Sequence, residues 1–283
     1  MTSPNATAPD TIVRSETDRP GITPGTARRV TIASFVGTSL ESYDFYLFAY
    51  FSAFFVGPLF FQPLGVFGGV LAGFLTIAAG FVIRPIGAII FGHLGDRIGR
   101  RPTLLITILM MGIGTGLVGV LPTYATAGWF GAIALVVLRL VQGLSLGGEW
   151  GGSILLATEY ANPKRRGFYA ALPQLGSPVG SILSAVVFIL MSTMLSQADI
   201  AAWGWRIPFF IGCLIIPFIF LLRRTLEETP EFLAMKKHPS AGEIFASAIA
   251  NWRIVVLGMM IAVLTTTTFY FVTVYTPTFG KTV

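Results

Sequence analysis

The chain has 283 residues, of which 54% are apolar and 11% charged, against about 25% charged in a soluble domain. With a mean hydropathy of +0.76, its charges are too few to coat a water-soluble globule, which excludes a cytosolic enzyme, a nucleic-acid binder or a disordered chain as the main body. The solvent is a bilayer, and the net charge of +6 reads as the Lys and Arg excess of cytoplasmic loops.

Residues 1–29 are polar, rich in Pro, Thr and Asp, and are expected to form a disordered cytoplasmic tail. No basic region leads into a short apolar core there, so no cleaved leader is expected. Seven apolar stretches follow, roughly 31–57, 66–92, 103–121, 128–155, 168–195, 205–222 and 254–276, each long enough to be a candidate span. Alternate connections carry most of the 19 Lys and Arg: Arg14, Arg19, Arg28 and Arg29; Arg97, Arg100 and Arg101; Lys164, Arg165 and Arg166; Arg223, Arg224, Lys236, Lys237 and Arg253. The opposite loops, 58–65, 122–127 and 196–204, carry none. This asymmetry places the N-terminus in the cytoplasm.

The long polar segment 223–253 separates six spans from a seventh. The expected division is a six-span bundle over 30–222, a cytoplasmic linker over 223–253, and a seventh span over 254–283 that opens a second bundle. The chain stops at Val283, a few residues past that span, so an incomplete protein is expected. His93, His238 and the single cysteine, Cys213, are far apart, and no metal set is expected.

Among the ionisable residues inside the predicted spans are Glu41 and Asp44, Arg84, Arg139 and Glu149. Charges at membrane depth are costly, face an interior or a cavity, and pair. Glu41 and Asp44 are three apart and share a helix face, as do Arg139 and Gln142. Glu149 is two turns beyond Gln142 on that same face. Two polar stripes of opposite charge describe a path or site near the midplane. A carboxylate held ionised by a nearby arginine is a proton switch, because loss of that contact in a dry site favours the neutral acid. Arg84, before Pro85, lies about 12 Å along the helix from Gly92 and is well inside. Gly143, Gly147 and Gly151, Gly148 and Gly152, and Gly176 and Gly180 recur every four residues, a spacing that lets helix backbones approach closely.

The segment Gly92-His93-Leu94-Gly95-Asp96-Arg97-Ile98-Gly99-Arg100-Arg101 resembles the signature loop of the major facilitator superfamily, and Arg139-Leu140-Val141-Gln142-Gly143 resembles its fourth-helix motif. Gly147-Gly148-Glu149-Trp150, Glu159-Tyr160, Arg165-Arg166-Gly167, Trp205-Arg206-Ile207-Pro208-Phe209 and Leu226-Glu227-Glu228-Thr229-Pro230-Glu231-Phe232 look like the metabolite:proton symporter branch. Thr265 to Tyr270 and Thr273 to Lys281 look most like its citrate and tricarballylate carriers; the branch also includes carriers for 2-oxoglutarate, shikimate, and proline or betaine. The resemblance implies an all-α polytopic membrane fold: the N-terminal six-helix bundle of a twelve-span carrier plus the first helix of its second half. It implies proton symport of a small organic anion by alternating access in the inner membrane, with no cofactor. Partners would be the bilayer and the missing C-terminal half, with no nucleic acid. It assigns proton coupling to Asp44 and Arg139 as an expected ion pair, whose cost falls when the two opposite charges meet, with Glu41 the weaker carboxylate. Substrate contacts are expected from Arg84, Gln142, Glu149, Gln174 and Tyr270. The cytoplasmic gate is expected from Gly92, Asp96, Arg97, Gly99, Arg100 and Arg101, clustered with Glu159 and Arg165 or Arg166. His93 and His238 are expected to be solvated.

Two arginines in the bundle favour a carboxylate substrate, since each offers a planar fork; a compatible solute such as proline or betaine is the alternative. A seven-span receptor or light sensor is the reading from another class. The inward N-terminus, the lack of a lysine at the centre of the seventh span and the signature loop all oppose it. A non-transporting regulatory relative is the third. The signature glycines lack the order G-x-x-x-x-G-K-[ST] that cradles phosphates, so an ion gradient is the expected energy source. As one six-plus-one fragment, the chain itself is expected not to transport.

Overall fold

A computed structural model describes residues 24–159, 165–224 and 241–270. Among these residues the regular structure is helical, with no strand. Five helical stretches are long and apolar enough to cross a membrane: Val30–Phe60, Gln62–Ile98, Arg100–Val120, Trp129–Glu149 and Gly167–Met194. Two shorter apolar helices, Gly204–Pro217 and Trp252–Thr265, follow. They fall on the seven predicted stretches and are called here the first to seventh spans. The chain divides into two units, Met1–Lys236 and Lys237–Val283. The second unit contains helices Ala241–Ala250 and Trp252–Tyr270.

The helix boundaries follow from local chemistry. The first helix runs Pro24–Phe51; proline suits a helix start because its missing N–H has no partner there anyway. Residues 24–29, expected in the disordered tail, therefore belong to this helix. It continues through a π-helical turn, Ser52–Val56, into Gly57–Phe60. The second span, predicted as one helix, is two: Gly65–Val82 and Arg84–Ile98. Pro85 is the cause, since it lacks an N–H and its ring clashes with the carbonyl one turn earlier. The second of these helices corrects the reading of the signature segment as a loop. Gly92 to Arg97 are helical, continuing helix Arg84–Ile98 through Gly92 and Gly95. Gly99 alone makes the turn, at φ 111° and ψ 152°, a region open essentially only to glycine. The third span, Arg100–Val120, starts at the next residue, and the Thr103 hydroxyl donates to the Gly99 carbonyl at 2.9 Å.

The fourth helix runs Trp129–Glu159, the fifth Gly176–Met194 and the sixth Ile207–Arg224. The expected linker over 223–253 includes helix Ala241–Ala250.

In the first unit, the first span packs on the fifth, the second on the fourth, and the third on the fourth and sixth; the first also meets the fourth and sixth. This pattern is unchanged when spans one to three are exchanged with spans four to six, the mark of a three-plus-three internal repeat. The glycine rows make the close pairings. A Cβ on Gly143 would run into the Gly80 carbonyl, one on Gly147 into the Arg84 carbonyl, and one on Gly180 into the Ser39 carbonyl. Lipid tails are as apolar as leucine, so helices in a bilayer associate by such close packing instead of by hydrophobic expulsion. Rings supply much of it at the end distant from Gly99: Phe51 lies 5.1 Å from both Trp205 and Phe209, and Phe60 5.7 Å from Trp205. Large apolar side chains such as Val66, Phe67 and Leu214 stand exposed on the outside, as a lipid solvent permits.

Candidate functional site

The centre of the bundle holds an ion pair. Arg139 Nη1 donates to Asp44 Oδ2 at 3.0 Å. Asp44 is 2% exposed and Arg139 6%. Asp44 comes from the middle of the first helix and Arg139 from the fourth. The packing of those two helices brings together residues 95 apart in sequence. The pairing expected from sequence is thus formed: Asp44 bonds Arg139, and Glu41, one turn earlier, is half-buried. Phe48 covers the guanidinium at 3.7 Å from its ring centroid, a cation–π contact worth about 2 kcal/mol or more when desolvated.

The other carboxylate oxygen has partners that sequence reasoning missed or placed otherwise. Thr115, from the third span, donates to Asp44 Oδ1 at 2.7 Å. Gln142 Nε2 donates to Thr115 Oγ1 at 2.8 Å and approaches Asp44 Oδ1 at 3.4 Å. Gln142, expected to contact substrate, is therefore bound into the Asp44 network and is 2% exposed. Nothing in the sequence marks Thr115 beyond its being a hydroxyl in the glycine-rich run Gly112 to Gly116.

Arg84 joins the same site. Asp44, Phe45, Phe48, Phe81, Arg84, Arg139 and Gln142 line one cleft. The Arg84 guanidinium stacks on Phe81 at 4.1 Å and lies 6.0 Å from Phe45. The break before Pro85 puts Arg84 at the kink of the second span. Arg139 Nε and Nη2 and Gln142 Oε1 have no hydrogen-bond partner among the described residues. Buried donors and an acceptor left so are costly, and they mark a place where a polar ligand or water gains more than elsewhere in the bundle.

Glu149 and Gln174 are not among the residues that line this cleft. Glu149 is buried, at 2% exposure, but it is ten residues along the helix from Arg139, about 15 Å. Gln174 is exposed on the turn Leu172–Leu175. Tyr270 ends the last described helix, and its side chain lies outside the described residues.

At the signature segment, Asp96 and Arg100 line a second cavity with Gly92, Gly95, Thr103, Gly147 and Gly148. Arg97 is exposed, Arg101 is half-buried and Gly99 is the turn itself. Arg165 is exposed; the side chains of Glu159 and Arg166, expected in one charge cluster with these residues, lie outside the described set. His93 is half-buried, not solvated as expected, because its segment is helical and packed. His238 lies outside the described residues. Among the described residues no group of His, Cys, Asp and Glu could hold a metal.

Comparison with known proteins bears on this arrangement. The family model described as sugar (and other) transporter matches residues 30–255. A citrate-proton symporter of Salmonella typhi is 44% identical over 266 residues, 92% of this chain and 61% of that protein. A citrate-proton symporter of Klebsiella pneumoniae is 41% identical over 277 residues, 98% of this chain and 61% of that protein. The chain thus spans about three fifths of the length of these relatives. Among solved structures, a major facilitator superfamily proton:xylose symporter, XylE, bound to 6-bromo-6-deoxy-D-glucose, superposes with a TM-score of 0.67 at 19% identity. That match covers 74% of this chain and 46% of that one and speaks for the fold alone. The match over 30–255, the relatives at more than 40% identity and the shared bundle establish that this chain is a multi-pass membrane protein of the sugar (and other) transporter family, within the major facilitator superfamily.

Proposed function

We propose that the chain is the N-terminal half of a carrier that moves a small organic acid, citrate-like in its carboxylates, together with protons across the inner membrane, with its N-terminus in the cytoplasm. The observation that carries this reading is the Asp44–Arg139 pair, buried at 3.0 Å in an otherwise apolar bundle beside a cleft that Arg84 also lines. Burying two charges costs several kcal/mol each, and their attraction only partly offsets it, so as a structural prop the pair is a poor choice. As a proton site it has the needed parts: a carboxylate in a dry surround and a fixed cation whose contact sets its charge. Protonation of Asp44 would release Arg139, whose Nε and Nη2, without a hydrogen-bond partner among the described residues, could then meet a substrate carboxylate. In alternating access one six-span bundle rocks against the other around a midplane site, and the glycine-lined contacts are the smooth surfaces along which spans can shift. Arg84 and Arg139 favour an anion, and the citrate-proton symporters among the relatives support a tricarboxylate.

The test is uptake by the full-length carrier in proteoliposomes, with labelled citrate, tricarballylate, shikimate, proline and betaine offered in turn under an imposed proton gradient. The proposal expects saturable citrate uptake that a protonophore abolishes. Uptake of proline or betaine with none of citrate would move the substrate to the compatible-solute class. Citrate uptake indifferent to the proton gradient would overturn the coupling.

A further inference from the structure

The network around Asp44 contains one group whose hydrogen bonding suits both charge states of the carboxylate. We propose that Thr115 is a positioning residue for the proton site: its hydroxyl is a rotor, donating to Asp44 when the carboxylate is ionised and to the Met111 carbonyl when it is protonated. This rests on the reading of Asp44 as the proton-coupling group.

The geometry supplies both positions. Thr115 Oγ1 lies 2.7 Å from Asp44 Oδ1 and 3.0 Å from the carbonyl oxygen of Met111, one turn back on its own helix. The hydroxyl has one proton and two lone pairs, so it can donate to only one of these acceptors at a time. Gln142 Nε2, at 2.8 Å, occupies one lone pair in either state. With Asp44 ionised, the Thr115 proton points to Oδ1. When a proton arrives from the aqueous side, an O–H bond forms on Asp44 and no bond breaks in the protein. The Thr115 proton swings to Met111, and its free lone pair accepts the new Asp44 O–H. Thr115 then has one donor and two acceptor sites, all used. Thr115 and Met111 are buried, at 2% and 3% exposure, so water is a poor substitute for the rotor.

The charged and titratable groups around Asp44 are few. Arg139 faces it from the fourth span, and Arg84 from the second shares its cleft. Glu41 and Tyr43 are its neighbours on the first span, the Tyr43 hydroxyl being bonded to the Pro208 carbonyl at 2.8 Å. Cys213 of the sixth span packs on Gly116, next to Thr115. Glu149 lies further along the fourth helix, and helix Gly176–Met194 of the fifth span has no ionisable side chain. Thr115 adds a neutral hydroxyl to this set. A hydrogen bond to a charged acceptor is roughly twice as strong as one between neutral groups, so the rotor favours the ionised state while still serving the protonated one.

The experiment titrates the carboxylic C=O band of Asp44 by infrared difference spectroscopy in the purified full-length protein, the band being identified by its loss in Asp44→Asn. In Thr115→Val, which keeps the shape and removes the hydroxyl, the titration midpoint should move to higher pH by about one unit. Thr115→Ser, which restores the hydroxyl, should return it. A role confined to packing would be rescued by Val and not by Ser. An unmoved midpoint in Val, or one equally displaced in Ser, overturns the rotor and leaves the function reading standing. A band that does not titrate overturns both. An Asp44 band that moves as expected in a carrier whose gradient-driven uptake survives Asp44→Asn supports the rotor and overturns the coupling.

Discussion

Gly147→Ala is the sharpest test of how the bundle is held. In helix Trp129–Glu159 an alanine is intrinsically better than glycine by about 0.5–1 kcal/mol. Against that, the added Cβ would run into the Arg84 carbonyl oxygen, with Ala88 N at 2.8 Å and the Arg84 carbonyl carbon at 2.9 Å. All three are backbone atoms, which cannot turn aside as a side chain can. The second span must move away as a unit, and Arg84 moves with it. Such overpacking costs about 1–3 kcal/mol, so the loss should exceed the helix gain. Gly167→Ala is the control, because a Cβ there meets nothing within 4 Å. Thermal unfolding of the purified protein in detergent should show Gly147→Ala less stable than wild type and Gly167→Ala unchanged or slightly more stable. Gly147→Ala at or above the stability of Gly167→Ala would refute the glycine-contact account of the second and fourth spans.

Removing the hydroxyl in Tyr43→Phe leaves the Pro208 carbonyl without its 2.8 Å donor and should destabilise the protein by about 1 kcal/mol, read by the same unfolding assay; no change would mean that bond adds nothing. Gly99→Ala forces a side chain into φ 111° and should cost about 1–3 kcal/mol, where Gly92→Ala, with open space around it, should cost less; equal effects would remove the backbone argument. Arg139→Gln leaves Asp44 buried without its cation and should lose about 3–5 kcal/mol of stability, while the double variant with Asp44→Asn recovers part of it; strict additivity of the two would show that the pair is not coupled.

The seven apolar stretches were legible because a bilayer demands about 20 apolar residues per helix, and the intramembrane charges stood out because so few break those runs. Cost alone says that such charges pair, and the choice of Asp44 with Arg139 among the intramembrane carboxylates and arginines rests on the family resemblance. The kink at Pro85 follows from proline chemistry, but the helical run through Gly92 to Arg97 does not. Glycines there read as a loop, yet Gly92 and Gly95 lie inside helix Arg84–Ile98 and only Gly99 leaves it. Thr115 was invisible because one threonine in an apolar helix is ordinary, and what singles it out is a third span laid across Asp44. Glu149 shares a helix face with Gln142 by spacing, but it is not among the residues that line the cleft, which reach along the fourth helix as far as Leu146. Helical periodicity fixes direction around the axis, and a site also needs height along it.

In the proposed function Asp44 couples proton movement to substrate movement. Its most direct test is accumulation against exchange in the full-length carrier reconstituted in proteoliposomes. Under a gradient of about two pH units, one proton per substrate permits about 100-fold accumulation, since each unit is about 1.4 kcal/mol. Asp44→Asn, which keeps an oxygen for Thr115 and removes the charge, should abolish this accumulation and retain exchange of labelled for unlabelled substrate. Gradient-driven accumulation at the wild-type level in Asp44→Asn would contradict that coupling.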